Sequence, residues 1–311
     1  MIQNFSHTGT IIRTAPGFFR DILLLVMTLL CLWTVQGNAS SFGVARSSTP
    51  VLNTSAFSAV FGIHGGKTLK KDHCGQIREL EFIALPGTVF RLLDQVRQNG
   101  AVVYRVETDD YPAPTGTALY LDSRFIEIRT DQPGERSRRL PERDKILSFL
   151  KESVGSPYVW GGNVRQGVDV ADEPLSYGTL PVGAGNHLIP AGLDCSGLLY
   201  QATNGWTPRN TSLLLSFGKG LPVAGKTIQD LTRQLEPLDL IVWNGHVIIV
   251  LDLDTVIESR LECGKQGNGG VVTTPLQQRL MEIMRQRRPV DHWPASGKQR
   301  DVFVVRRWMK S

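Results

Sequence analysis

The chain has only four cysteines in 311 residues and no paired Cys-x-x-Cys, which removes the zinc-ribbon and thioredoxin-like classes. It also lacks a Walker phosphate loop and any internal repeat, so P-loop nucleotide chemistry and solenoid architectures are set aside. No apolar run reaches the roughly 20 residues that a spanning helix requires. What remains is the composition of a globular protein, 41% apolar and 20% charged, and long enough for two ordinary domains.

The longest apolar stretch, Ile22 to Trp33, follows Arg13 and Arg20 and precedes Gly37-Asn38-Ala39. This is the layout of a cleaved signal peptide over residues 1–39. Cys31 lies within it, but Leu30 stands where a lipoprotein signal carries a small residue. The expectation is an exported protein, periplasmic or cell-wall associated, with no spanning segment once the signal is removed. Losing residues 1–39 leaves the chain basic, and Arg279 to Lys310 holds nine Lys or Arg against Glu282, Asp291 and Asp301. Such a tail suits an anionic wall surface or a plain solvated rim, and no nucleic-acid partner is expected.

Cys74, Cys195 and Cys263 remain after processing, and an odd number leaves at least one thiol free. Simple buried thiols are the expectation for Cys74 and Cys263. A bridge between them would suit an oxidising compartment and leave Cys195 free, but spacing alone does not bring them together.

Cys195 sits in Asp194-Cys195-Ser196-Gly197, ahead of the helical run Leu198 to Gly205. The unpaired N–H groups and positive end of a helix favour a thiolate, as does a neighbouring imidazolium. His246 opens the apolar strand His246 to Leu251, and the chain turns at Asp252 to Thr255 before Val256-Ile257-Glu258. A hairpin there sets Glu258 roughly abreast of His246, so the carboxylate orients one ring nitrogen while the other faces Cys195. A Cys195, His246, Glu258 triad is the expectation, with backbone N–H groups of Cys195 or Ser196 as oxyanion donors.

These residues, together with Pro157-Tyr158-Val159-Trp160-Gly161-Gly162, Pro208-Arg209-Asn210-Thr211-Ser212 and Pro237-Leu238-Asp239, resemble the ordered motifs of NlpC/P60 peptidases over about residues 145–260. The resemblance implies a papain-like α+β fold and hydrolysis of the bond between γ-D-glutamate and a diamino acid in peptidoglycan stem peptides. It implies that Asp194 holds the free amine of the stem's L-alanine, although Asp194 also reads as an ordinary helix N-cap. Tyr158 lines the pocket or packs beneath it. Ser196, Arg209 and Ser212 match substrate-side positions, while a solvated Arg209 and a turn Ser212 read equally well. The sequence departs from the family in three places. Residues 163–191, rich in Gly and Pro and carrying His187, replace a short loop and are expected to form a flap from Asn163 to Pro190. Leu238 stands for the usual Gly of a Pro-Gly-Asp turn, and Leu214 for a common Gln. His187 and His246 lack two-ligand spacing, so no metal or cofactor is expected.

Upstream, Leu80–Leu85, Val89–Leu93, Ala101–Glu107, Ala118–Leu121 and Phe125–Ile128 read as short strands with turn residues between them. They resemble a bacterial SH3-like β-barrel, placed at residues 40–130. A charged, Pro-containing linker follows at 131–141, and the catalytic domain spans 142–311. Inside it, a helix opens at Pro141-Glu142 and stops by Gly155. Thr274-Pro275 caps a second helix, and Val302–Val305 closes the sheet. An amidase or acyltransferase with the same nucleophile, and a wall-binding protein without catalysis, are the alternatives. Intact Cys195, His246 and Glu258 weigh against the last.

Overall fold

Partly alternating strands build the first of two mainly antiparallel sheets, and near-continuous apolar strands build the second, which is buried on both faces. The computed structural model describes residues 41–62, 69–98, 101–168, 190–295 and 299–309. The signal-peptide segment and residues 169–189 of the expected flap, with His187, lie outside the described residues. All described residues belong to one compact unit, Ser40–Ser311, and no described helix is long and apolar enough to cross a membrane.

The first sheet comprises β1 (Ser41–Ala45), β2 (Thr49–Leu52), β3 (Leu80–Ala84), β4 (Val89–Gln98), β5 (Ala101–Glu107), β6 (Leu119–Asp122) and β7 (Ile126–Arg129). Their order, β3-β2-β6-β5-β4-β1-β7, makes a half-barrel sheet. Its five later strands fall within a few residues of expectation. The first two were not read from the sequence, because Ser41 to Leu52 is short and broken by Arg46-Ser47-Ser48. Val51, Phe82, Phe90, Val106 and Leu121 fill the concave side. The short helix α1 (Phe57–Phe61) covers another part of the sheet through Phe57, Val60 and Phe61.

Residues 131–142 have no regular structure and are anchored by ion pairs. Arg136 and Arg138 both pair with Asp110, and Arg136 also donates to the Asn204 carbonyl. Next comes α2 (Arg143–Glu152), burying Ile146 and Leu150 on one face. A two-stranded ribbon, β8 (Asn163–Val164) with β9 (Gly192–Leu193), leads into α3 (Cys195–Ala202). Two further short helices, α4 (Thr211–Leu214) and α5 (Ile228–Gln234), flank β10 (Lys219–Gly220).

The second sheet adds β11 (Leu240–Trp243), β12 (His246–Val250), β13 (Thr255–Leu261), β14 (Gly269–Pro275) and, after α6 (Leu276–Met284), β15 (Arg288–Pro289) and β16 (Val302–Arg307). Its order is β10-β16-β11-β12-β13-β14. The last strand therefore lies inside the sheet rather than at its edge. Period-2 alternation divides the burial: Leu240, Val242, Val247 and Ile249 face α2 and α3, while Ile241, Ile248, Val250 and Val256 face α6. The expected cap at Thr274-Pro275 is shifted, since Thr274 still pairs with Val256 in β14 and Pro275 precedes the helix without a side-chain cap.

Cys74 and Cys263 form a disulfide, which overturns the expectation of two buried thiols. The Asp72 carboxylate accepts from the N–H groups of Cys74 and Gln76, fixing a turn beside β3. Cys263 follows β13 directly, so the fold supplies the proximity that the 189-residue separation hides.

Candidate active site

Helix α3 begins at Cys195 because Asp194 caps it: the Asp194 carboxylate accepts from the Gly197 N–H at 2.7 Å. Almost every residue of the helix is buried, from Cys195 to Tyr200. Gly197 is required by close approach, since a Cβ there would strike the Gly162 carbonyl oxygen. That carbonyl in turn accepts from the Asp194 N–H at 2.8 Å, tying Asp194-Cys195-Ser196-Gly197 to the Tyr-Val-Trp-Gly-Gly motif.

Cys195, 7% exposed, is the one free cysteine among the described residues. Its sulfur lies 3.9 Å from the carbonyl oxygen of Gly245, the residue before His246, and it is among the groups that act on the His246 imidazole. Nε2 of His246 meets Oε2 of Glu258 at 2.6 Å. The expected hairpin is present, with Ile249 opposite Ile257 and Val250 opposite Val256. Carrying that register on puts Glu258 opposite Ile248, so it reaches His246 as a diagonal neighbour rather than abreast. An ionised Glu258 accepts from Nε2–H, which leaves Nδ1 as the basic nitrogen toward sulfur.

Burial alone would lower the His246 imidazole and raise the Glu258 carboxyl. Interactions with Cys195 and with the Glu258 carboxylate push His246 up to about 9 instead. His246 and Arg279 hold Glu258 down at about 2. The arrangement is thus one that keeps the imidazole charged beside the sulfur. Trp243 packs its ring 4.9 Å from that of His246 and limits the imidazole's motion.

The remaining expected residues divide. Arg209 is buried rather than solvated, and it grips Asp194 through two bonds, Nη1 to Oδ1 at 3.1 Å and Nη2 to Oδ2 at 2.6 Å. It also donates to Ser196 Oγ at 3.0 Å and to Asn163 Oδ1 at 3.1 Å. Burial would lower Arg209, but the Asp194 charge outweighs this and raises it. Tyr158 is half-buried near Asp194 and Cys195; burial foremost, then their charges, pushes its phenol up. Ser212 is exposed on α4, and among the described residues no hydrogen bond joins it to this group.

Three residues unmarked by the sequence reading hold the site together. Asn163 mimics a strand partner for Ile83, accepting its N–H at 2.9 Å and donating to its carbonyl at 2.7 Å. Gln76 accepts from the Trp160 N–H at 2.8 Å and donates to the Tyr158 carbonyl at 3.4 Å. Arg279 binds Glu258 from α6. Only Arg279 carried a signal, for it stands on the stripe Leu276, Leu280, Ile283 that α6 buries against the sheet. A charge on a buried stripe needs a partner. His73, Cys74 and Cys263 also bring ligand atoms within 4.8 Å of one another, but both sulfurs are bonded to each other.

No family model and no curated protein matches the chain. Among solved structures, it is similar to an NlpC/P60 family protein from Bacillus cereus ATCC 10987, at 17% identity and a TM-score of 0.32, over 88% of this chain and 65% of that one. NlpC2 and NlpC1 from Trichomonas vaginalis are each 12% identical, with TM-scores of 0.30 and 0.28. They cover 87% of this chain in both cases, and 74% and 70% of their own. The chain spans 65% of the length of the Bacillus cereus protein. So distant a likeness assigns neither activity nor substrate.

Proposed function

We propose that the protein is an exported cysteine peptidase of the NlpC/P60 type that hydrolyses the γ-D-glutamyl to diamino acid bond of peptidoglycan stem peptides. The observation that carries this reading is a free Cys195 at the start of a buried helix, its sulfur 3.9 Å from the Gly245 carbonyl, beside a His246 whose Nε2 meets the buried Glu258 at 2.6 Å. Cys195 Sγ attacks the γ-glutamyl carbonyl, and the oxyanion takes hydrogen bonds from the backbone N–H groups of Cys195 and Ser196, which lie where a helix offers no internal acceptor. His246 then gives its proton to the departing amine. The acyl-enzyme is released by water, activated by the same ring.

In this reading Tyr158, Asp194, Ser196, Arg209 and Ser212 line the substrate side, with Asp194 taking the free L-alanine amine and Arg209 fixing the Asp194 carboxylate. Residues 40–130 form an SH3-like module, 131–141 a linker and 142–311 the catalytic domain. The Cys74–Cys263 disulfide supports export, because such bonds persist in oxidising compartments. Mass spectrometry of defined muropeptides incubated with the purified protein tests the reading. Cleavage products split at the γ-D-glutamyl bond support it; ligated products indicate acyl transfer, and unchanged peptides retained by the protein indicate binding alone.

A further inference from the structure

Glu258 does not serve His246 alone. Its carboxylate, 1% exposed, receives Arg279 Nε on Oε1 at 2.7 Å and Arg279 Nη2 on Oε2 at 2.9 Å, a two-pronged grip on both oxygens. Oε2 is also the atom that meets His246 Nε2 at 2.6 Å. One oxygen is thereby shared between two cations from two elements, the imidazolium of β12 and the guanidinium of α6. The other charged groups around them are Arg260 on β13, whose Nη1 lies 3.7 Å from Oε1, and Glu282, which takes Arg279 Nη1 at 3.0 Å. Cys195 on α3 lies 3.9 Å from the carbonyl oxygen of Gly245, next to His246.

We propose that Arg279 is a positioning residue for His246 that acts through Glu258, fixing the plane of the carboxylate and dividing its charge between two cations. The fork geometry matters because a carboxylate held by one flexible partner rotates about its terminal bond, and the imidazole would follow it. The division of charge matters because a carboxylate neutralised only by the imidazole would hold that ring's proton more tightly, whereas the reaction requires the proton to leave for the amine. Leu276, Leu280 and Ile283 pin α6 to the sheet and make the guanidinium's place rigid. This inference rests on the nucleophile reading for its catalytic meaning, but its structural content can be measured without turnover.

The experiment is an NMR titration of the His246 ring in protein carrying ¹³C-labelled histidine, with wild type, Arg279→Met, Arg279→Lys, Glu258→Gln and the double variant Arg279→Met/Glu258→Gln. Removing the guanidinium while Glu258 stays ionised should move the His246 midpoint upward by about one pH unit. Arg279→Lys restores the charge without the fork, so its midpoint returns toward wild type. Any loss of kcat that remains in that variant reports orientation. In the Glu258→Gln background the same Arg279→Met change should move the midpoint less, because only the direct repulsion between the two cations is then relieved. Should Arg279→Met fail to fold, Arg279→Gln, which keeps a polar contact with Glu258 but carries no charge, takes its place with the same upward shift expected. A midpoint indifferent to Arg279, or an equal shift with and without the Glu258 carboxylate, overturns the proposal. Alkylation of the Cys195 peptide by iodoacetamide, followed in the same samples, separates the two readings: an unreactive Cys195 sinks the nucleophile assignment while leaving the titration readable.

Discussion

Replacing Cys74 and Cys263 together by Ser removes a cross-link between residues 189 apart in sequence. In the chain-entropy description, opening a loop of that length frees the unfolded chain by about 18 cal/mol/K, or about 5 kcal/mol at 25 °C. Measured losses fall below that figure when the unfolded state keeps residual structure, so a loss of about 2–5 kcal/mol is expected. Urea unfolding of the oxidised wild type and the double variant reads it directly. The midpoint should fall, and the slope should rise, because an unbridged unfolded chain exposes more surface. The bridge also bears on the site. Cys74 lies in the turn that carries Gln76, which holds the backbone of Tyr158 and Trp160, whereas the bonds among Cys195, His246 and Glu258 lie wholly within the C-terminal half. Loss of the bridge should therefore raise KM for a stem peptide more than it lowers kcat. A stability change within about 0.5 kcal/mol would refute the entropic argument, and an unchanged KM would refute the coupling through Gln76.

Three further outcomes follow from the geometry. Leu238 has φ +75, the left-handed region that suits the Gly it replaces, yet its side chain is buried in the main core. Leu238→Gly relieves about 1–2 kcal/mol of backbone strain but forfeits core packing worth about 2–5 kcal/mol, so calorimetry should show net destabilisation, and a more stable variant would reverse the ranking. Asp194→Asn leaves the Arg209 guanidinium buried without its anion and should cost about 3–5 kcal/mol in denaturant unfolding; a loss below about 1 kcal/mol would mean that the pair contributes little. Stability should also depend on pH at both ends. His246 is raised from an ordinary 6.5 to about 9, so its contribution is complete below 6.5 and is lost as the pH rises through 9. Glu258 is lowered from an ordinary 4.5 to about 2, so its contribution is present above 4.5 and is lost as the pH falls through 2. Melting temperatures across pH 2–10 should decline at both limits in wild type, and His246→Ala should lose the alkaline decline; an alkaline decline that persists in that variant assigns it elsewhere.

The positions of Cys195, His246 and Glu258 were legible because each depends on local pattern: a cap before a helix, a histidine opening a strand, and a turn of readable length. The five later strands of the half-barrel sheet were legible for the same reason, whereas β1 and β2 were not. What escaped depends on approach between distant segments. Asn163 earns its place only because β3 passes beside it, and Gln76 only because the bridged turn lies against Trp160. The disulfide partners were both visible, but their meeting was not. Arg209 was read as equally a solvated side chain, since nothing in Pro208 to Ser212 announces that Asp194 and Asn163 converge on it. Leu238 looked like a departure in sequence, but the backbone there keeps the conformation a glycine would take.

In the proposed mechanism Cys195 forms the covalent intermediate. The most direct measurement is turnover of a tripeptide L-Ala-γ-D-Glu-diamino acid by wild type and by Cys195→Ala shown to be folded by circular dichroism, with acid-quenched protein digested and its Cys195 peptide weighed. The account predicts release of the diamino acid by wild type, a transient mass on that peptide equal to the L-Ala-γ-D-Glu acyl group, and no turnover by the variant. Continued hydrolysis by folded Cys195→Ala, with no acyl mass on the wild-type peptide at any quench time, would contradict it.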